Sequence, residues 1–283
     1  MSVETLGIIG AGTMGNGIAQ VAAQSGLRVM MLDVNAAAIE RGMNAITGSL
    51  ERMVKKEKIS AAARDAALER VVGITDLNDL KAADYCIEAA TENEPVKMKI
   101  LADADRILKP DAVIATNTSS ISITKLATAT KRPDRFIGMH FFNPVPLMAL
   151  VELIRGLQTS DATLSTAHEL TKRLGKSPIT VKNSPGFVVN RVLCPMINEA
   201  IFAYAEGLAS AEEIDSGMKL GCNHPIGPLA LADMIGLDVM LAVMNVFYDG
   251  FNDPKYRPAP LLKEMVDAGY LGRKTRRGFY VYE

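Results

Sequence analysis

The sequence is poor in cysteine and in net charge, and both shortages exclude classes of function. The three cysteines, Cys86, Cys194 and Cys222, lie far apart and have neither a CxxC nor a Cys/His metal spacing. This favours buried, reduced thiols and no metal site, with a nucleophilic cysteine as the alternative. The formal net charge of -1 gives no electrostatic reason to expect a nucleic acid or an anionic membrane as a partner.

The sequence also lacks an uninterrupted apolar run that could cross a membrane. Its most apolar late stretch, LALADMIGLDVMLAVMNVF, contains Asp233 and Asp238, which predicts a buried helix rather than a membrane span. The first strand is predicted to begin by residue 5, which leaves no room for a signal or transit peptide. Together with the reduced cysteines, these features predict a cytoplasmic protein.

Strand-like runs alternate with helix-period segments over roughly the first half of the chain. The predicted strands are TLGIIG, RVMMLD, DYCIEAA, AVIATN and RFIGMHF. This alternation predicts an α/β fold with a doubly wound, mostly parallel sheet of Rossmann type. VELIRG and PITVKN then predict a last pair of strands around a helix that starts at Ser160.

Two further segments set the predicted domain organisation. The stretch between the second strand and VVGIT is too long for one crossover helix. It predicts an inserted arm of two helices over about residues 36–70, with Ser60 as N-cap of the second. From SPGFVVNRV onward the pattern is helical, and Ser184-Pro185 is predicted to begin the first helix. We therefore expect a sheet domain over residues 1–184 and an all-helical domain over residues 185–283.

The first strand leads directly into the glycine-rich segment GIIGAGTMGNG. The GxGxxG motif at this place allows a tight turn, a close approach of a pyrophosphate and close packing of helix on strand, although a turn without a ligand is the alternative. Asp33 ends the second strand, where a carboxylate accepts hydrogen bonds from ribose hydroxyls and repels a 2′-phosphate. The segment therefore predicts a site for NAD rather than NADP, formed by Asp33 with Gly10, Gly12, Thr13, Met14 and Gly15.

Ligands of open α/β sheets bind at the carboxyl ends of the strands. The polar residues predicted at those ends are Glu88, Glu92, Asn117, Ser119, His140 and Asn143. Two of them have structural alternatives. Ser119 either binds a ligand or is part of the helix-capping segment, in which Ser120 or Ser122 is the predicted cap of the next helix. Glu92 either faces the ligand or stabilises the N-terminus of the helix begun by Pro95.

His140 is one of only three histidines, and it is predicted to end a strand that leads into an Asn-Pro-x-Pro turn. A lone histidine is more often structural. Here Glu152 follows twelve residues later, where the returning chain brings it within reach. Imidazole, with an ordinary pKa of about 6.5, exchanges protons near neutral pH, and a carboxylate on its other nitrogen fixes the tautomer. His140 is therefore the candidate base that removes a hydroxyl proton while a hydride leaves the same carbon.

The chain resembles the L-3-hydroxyacyl-CoA dehydrogenase family, especially its short bacterial 3-hydroxybutyryl-CoA members. The resemblance runs through the whole chain, on GAGTMG with Asp33, EAATEN, TNTSS, HFFNPVPLMALVE, SPGFVVNR, the segment ending in GLD, and KTRRGFYVY. It implies an NAD-dependent oxidoreductase that interconverts 3-hydroxybutyryl-CoA and acetoacetyl-CoA, and it points to a homodimer. The last motif departs from the family at Arg276, where glycine is more common. Glycine there would allow a positive φ, so an arginine is predicted to strain or reshape the loop that carries Lys274.

The resemblance also implies roles for individual residues. His140 and Glu152 match the catalytic dyad, and Ser119 and Asn190 match residues that bind the reacting part of the substrate. The NAD contacts fall on Asp33, Glu92, Lys97, Ser119, Asn143 and Lys274, to which Asn117 is added as a strand-end residue. The CoA contacts fall on Ser49 and Lys56 in the arm, beside Arg52.

The basic run SLERMVKKEK supports a CoA site in the arm. Arg52, Lys55, Lys56 and Lys58 form a local cationic patch that suits nucleotide phosphates, with a solvated helix face as the alternative. Two other functions remain open from the sequence. One is a noncatalytic NAD-binding protein on the same fold. The other is a dehydrogenase of free hydroxy acids, which would have no use for the basic arm.

Overall fold

In the computed structural model, which describes residues 3–283, the chain divides into two units between Ser184 and Pro185. The described part of the first unit contains eight strands that form one sheet. They are β1 (Thr5–Ile9), β2 (Arg28–Leu32), β3 (Val71–Ile74), β4 (Tyr85–Glu88), β5 (Val113–Thr116), β6 (Phe136–Phe141), β7 (Leu150–Arg155) and β8 (Ser177–Lys182).

The strand order is β3-β2-β1-β4-β5-β6-β7-β8. The first six strands are parallel, β7 runs antiparallel to β6, and β8 is parallel to β7. The direction changes at β7 because a crossover to a parallel strand needs a dozen or more residues, whereas the link from Phe141 to Leu150 is short. The predicted mostly parallel sheet is confirmed, and so is the pair of strands around the helix capped by Ser160.

The helices of the first unit pack on this sheet. They are α1 (Thr13–Gln24), α2 (Ala36–Lys55), α3 (Ala61–Glu69), α4 (Glu94–Ile107), α5 (Ile123–Ala127) and α6 (Asp161–Arg173). The predicted arm is formed by α2 and α3, and Ser60 caps α3 by accepting a hydrogen bond from the Ala63 amide. On α2, the buried residues are Gly42, Ile46 and Leu50, which are spaced four apart. The helix therefore packs on the rest of the unit through one narrow face.

The second unit is helical, as predicted. Its α-helices are α7 (Val189–Ala205), α8 (Ala211–Gly221), α9 (Pro228–Ile235), α10 (Leu237–Phe251) and α11 (Pro260–Asp267). The predicted start of the first helix at Ser184-Pro185 is wrong, because α7 begins at Val189. Gly186 and Phe187 have φ values of 73° and 53°, which lie outside the right-handed helical region and turn the chain before the helix starts.

The apolar stretch of residues 229–247 was predicted to form one buried helix, and this is also wrong. It is divided between α9 and α10, which meet at Gly236 at an angle of 98°. Gly236 has a φ of 103°, which glycine adopts readily and which ends α9. Within residues 3–283, no single helix is both long and apolar enough to cross a membrane; only the bent pair α9 and α10 reaches that length and composition together.

Two of the three cysteines are buried, as predicted. Burial raises the pKa of the Cys86 and Cys194 thiols to about 12, which keeps them protonated and unreactive. Cys222 departs from the prediction, because it directly follows α8 and is exposed.

Two buried carboxylates attach the C-terminal segment to the second unit. Asp233 on α9 accepts hydrogen bonds from the backbone amides of Phe279 and Tyr280, both at 3.0 Å, and from the Tyr282 hydroxyl at 2.9 Å. Asp215 on α8 accepts from the Tyr280 hydroxyl at 2.8 Å and from two amides at the start of α9. The C-terminal residues are thus held by hydrogen bonds to side chains of α8 and α9, and not by strand pairing alone.

We expect Asp233→Ala to lower the free energy of unfolding by about 2 to 4 kcal/mol, because it leaves partly buried amides without an acceptor. Urea denaturation followed by circular dichroism measures the change. The control is Asp249→Ala, which removes an exposed carboxylate from α10 of the same unit. Equal stability of the two variants would contradict the anchoring role of Asp233.

Candidate functional site

The predicted dinucleotide loop joins β1 to α1 in a conformation that requires glycine. Gly10 has a φ of 104°, and a Cβ there would lie 2.7 Å from the Cα of Ala90. A Cβ on Gly15 would lie 1.8 Å from the Gly10 oxygen, so helix and loop are in direct contact. In contrast, a Cβ on Gly12 would meet nothing within 4 Å. The space at Gly12, at the N-terminus of α1, fits a pyrophosphate bound by helix amides.

Asp33 follows β2 and lies beside this loop. Its carboxylate accepts hydrogen bonds from the Ala11 amide at 2.8 Å and from the Val34 amide at 2.7 Å. Thr13 is exposed and Met14 is half-buried against the core of the unit. The loop residues and Asp33 are therefore brought together, as the sequence predicted, in an arrangement that fits the pyrophosphate and adenosine ribose of NAD.

Glu92 connects two of the strand-end loops. It accepts hydrogen bonds from the Thr118 hydroxyl at 2.7 Å and from the Ser119 amide at 2.9 Å. Asn93, and not Glu92, is the N-cap of α4. Ser122 caps α5, in agreement with the alternative that gave capping to Ser120 or Ser122. Ser119 itself remains half-buried at the strand end beside Glu92.

Lys97, for which the family resemblance implies a contact with NAD, lies in the interior of the first unit and does not line an open groove. Only 1% of it is exposed, and its ammonium forms an ion pair with Glu88, which is fully buried. The Thr116 hydroxyl donates to the same Glu88 carboxylate at 2.7 Å, and the Ala90 amide does so at 2.8 Å. This buried network fixes the backbone of Ala89 and Ala90, against which Gly10 packs.

Asn117 joins the ends of three strands. Its backbone N–H donates to the Glu88 carbonyl at 2.7 Å, and its side-chain oxygen accepts from the Phe141 backbone amide at 2.9 Å. These bonds place Asn117 within the sheet framework and hold the end of β6, where His140 lies. Asn143 follows two residues after that strand and is exposed.

His140 and Glu152 face each other across the antiparallel pair of β6 and β7. They are direct partners in the strand register, and the distance from His140 Nδ1 to Glu152 Oε2 is 2.7 Å. His140 is 6% exposed and Glu152 is fully buried. The Phe142 ring lies 4.5 Å from the imidazole, centroid to centroid. The imidazole is therefore held on one nitrogen by a carboxylate in an environment with little water.

A cavity of about 540 Å³ lies between α1, the arm and the turn after His140. Its lining brings together residues that the sequence analysis assigned to CoA, with two assigned to NAD: Ser49, Arg52, Lys56, Thr13 and Asn143. Lys58 also lines it, and Met53, Val145 and Leu147 supply apolar surface. Cationic and apolar groups in one cavity can bind a phosphorylated ligand with an apolar part. Lys55 is exposed, in line with the alternative of a solvated face.

Asn190 and Lys274 belong to the second unit. Asn190 is the second residue of α7 and is half-buried. Lys274 forms an ion pair with Asp238. Burial acts to raise the pKa of Asp238, but the bonds to Lys274 and to backbone amides outweigh it and lower the pKa. Arg276 adopts a φ of 58°, so the loop keeps the left-handed conformation that the sequence analysis associated with glycine at this position.

Several polar residues that shape these surroundings were given no role by sequence reasoning. They are Glu88, Thr118, Asp238 and Lys176, the last of which donates to carbonyls of the turn after His140. Glu88 had been noted at a strand end, and Thr118 and Asp238 stand inside recognised motifs, so those three offered a signal. Across residues 3–283, no cluster of three or more His, Cys, Asp or Glu side chains could hold a metal ion.

Comparison with known proteins identifies the family of this chain. The family model for the NAD-binding domain of 3-hydroxyacyl-CoA dehydrogenase matches residues 5–184, and the model for the C-terminal domain matches residues 186–282. A 3-hydroxybutyryl-CoA dehydrogenase of Bradyrhizobium diazoefficiens is 53% identical over 99% of this chain and 96% of its own length. One of Clostridioides difficile is 52% identical over 98% of this chain and 99% of its own.

A solved structure agrees with these relatives. The crystal structure of (S)-3-hydroxybutyryl-CoA dehydrogenase PaaH1 from Ralstonia eutropha is 67% identical, covers 100% of both chains and gives a TM-score of 0.99. The dinucleotide loop, the strand-end residues and both domain matches therefore lead to one conclusion. The chain belongs to the 3-hydroxyacyl-CoA dehydrogenase family and is an NAD-dependent oxidoreductase.

Proposed function

We propose that this protein interconverts (S)-3-hydroxybutyryl-CoA and acetoacetyl-CoA, with His140 as the acid-base group and Glu152 as its partner. The observation that carries the proposal is the buried pair of these two side chains, 2.7 Å apart, at the strand end next to the dinucleotide site. The names of the relatives support the substrate, since those of Bradyrhizobium diazoefficiens and Clostridioides difficile are 3-hydroxybutyryl-CoA dehydrogenases.

Each group has a defined part in the proposed reaction. Bound NAD supplies the acceptor for the hydride that leaves C3 of the substrate. The amides at the start of α1 bind its pyrophosphate and Asp33 accepts hydrogen bonds from its ribose. Asp33 also repels the 2′-phosphate of NADP, which makes NAD the preferred cofactor.

His140 moves the proton of the reaction. Its Nε2 takes the proton of the 3-hydroxyl as the C3 hydride leaves, so the hydroxyl becomes a ketone and the imidazole becomes an imidazolium. Glu152 on Nδ1 holds the ring in the required tautomer and stabilises that positive charge. In the reverse direction the imidazolium returns the proton to the ketone oxygen. Ser119 is proposed to hydrogen-bond the same oxygen.

The arm is proposed to bind the CoA part of the substrate. Arg52, Lys56 and Lys58 line one cavity with apolar residues, although the chain as a whole carries a net charge of only -1. Ser49 lines the same cavity. Local positive charge at this place attracts the phosphates of CoA, whereas a free hydroxy acid has no nucleotide part to place there.

We expect fast oxidation of NADH, followed at 340 nm, when acetoacetyl-CoA is the substrate. NADPH should be a much poorer cofactor because of Asp33, and free acetoacetate should be turned over slowly because it cannot use the arm. Turnover of free acetoacetate at the rate of the thioester would favour a hydroxy-acid dehydrogenase. Binding of NADH without turnover of either substrate would favour a noncatalytic NAD-binding protein.

We expect His140→Ala to lower kcat for acetoacetyl-CoA by roughly 10²- to 10⁴-fold, because it removes the acid-base group. Glu152→Gln should cause a smaller loss, since the imidazole remains but loses its carboxylate. NADH affinity, measured by fluorescence quenching, should stay unchanged in both variants. The matched control is His168→Ala, which removes a half-buried histidine of α6 that bonds the Thr180 hydroxyl, away from the candidate site. Near-normal turnover by His140→Ala would refute the assignment.

We also propose that the protein is a homodimer that pairs through its helical unit. Large apolar side chains are exposed on this unit, among them Val192 on α7, Leu208 in the link between α7 and α8, and Leu220 on α8, which are 68%, 77% and 87% exposed. A second copy is the occupant that the family resemblance favours for such surfaces. Light scattering after gel filtration should give twice the mass of one chain. A Leu208→Glu variant should shift the measured mass toward that of a single chain. A single-chain mass for the unmodified protein would refute the dimer.

A further inference from the structure

A buried lysine outside the predicted site contacts the turn after His140. Lys176 lies between α6 and β8 and is 9% exposed. Its ammonium donates hydrogen bonds to the backbone carbonyls of Val145 and Met148, the second at 2.8 Å. Within residues 3–283 no carboxylate forms a salt bridge with it. Because burial of a lone ammonium is costly, these two charge-assisted hydrogen bonds are the interactions that hold Lys176 in place.

The two carbonyls enclose the part of the turn that lines the arm cavity. Pro146 and Leu147 stand between them, and both line the cavity together with Val145. Leu147 is 71% exposed, so its own packing does little to fix its position. The turn also packs on α1, where a Cβ added to Gly17 would lie 2.8 Å from the Cβ of Val145. Lys176 thus holds the backbone of the turn, and α1 packs against the Val145 side chain.

We propose that Lys176 is a positioning residue for substrate binding, which sets the cavity wall formed by the segment from Val145 to Leu147. The lysine does not line the cavity but acts through the two carbonyls. The proposal rests on the proposed function, in which the cavity binds the CoA part of the substrate. It assigns Lys176 an effect on affinity for CoA thioesters and no effect on the chemical step, because His140 is fixed separately by β6 and β7.

We expect Lys176→Met to raise KM for acetoacetyl-CoA roughly tenfold, the scale of one lost charge-assisted hydrogen bond, with kcat within about twofold of the unmodified enzyme. NADH affinity should not change, because Asn143 and the dinucleotide loop lie outside the anchored segment. The acetoacetyl thioester of N-acetylcysteamine, which lacks the CoA nucleotide, should show the same kcat/KM in both proteins. Lys176→Arg should restore part of the KM, since a guanidinium can also donate to both carbonyls.

The matched control is Lys182→Met, which removes an exposed lysine from the end of β8. A merely structural Lys176 would change the melting temperature and leave KM equal in the two methionine variants, and that result would overturn the proposal. An equal loss with the short thioester would also overturn it, because the effect would then not depend on CoA. If Lys176→Met does not fold, Lys176→Gln is judged by the same criteria. Failure of the unmodified protein to reduce acetoacetyl-CoA would contradict the proposed function instead.

Discussion

The antiparallel pairing of β6 with β7 is the constraint on which the rest of the site depends. A short link after Phe141 leaves the chain no room for a crossover, so β7 must return beside β6. In this register His140 faces Glu152 directly. Two side chains that are twelve residues apart therefore meet at hydrogen-bond distance inside a sheet, where neither can easily move away.

The same link also forms the wall of the arm cavity. The residues between β6 and β7 pack on α1 and line the cavity together with α2, so that the histidine and one cavity wall belong to one continuous segment. This proximity gives the proposed reaction its geometry. In that proposal the reacting carbon lies near His140 and the nucleotide part of the substrate extends toward the basic end of α2.

Polar side chains fix the loops at the carboxyl edge of the sheet. Glu92 binds the loop after β5, Asn117 binds the end of β6, and Asp33 binds the glycine loop. Below them Glu88 compensates the charge of the buried Lys97. A buried charge without such a partner would be strongly destabilising, so this network orders the loops in one arrangement. Order of this kind lowers the entropy that ligand binding must remove.

The sequence by itself determined the sheet, the inserted arm, the helical second unit, the glycine loop with Asp33, and the candidate pair of His140 and Glu152. These depend on periodicity, on glycine spacing and on motifs, which are local properties of the chain. Tertiary structure alone decided where α7 begins and that α9 and α10 are separate helices, because both depend on positive φ values at Gly186, Phe187 and Gly236. It also decided that Lys97 is buried against Glu88 and that Lys176 binds the turn after His140. Such partners lie on different elements of the fold, and only folding determines which polar group meets which.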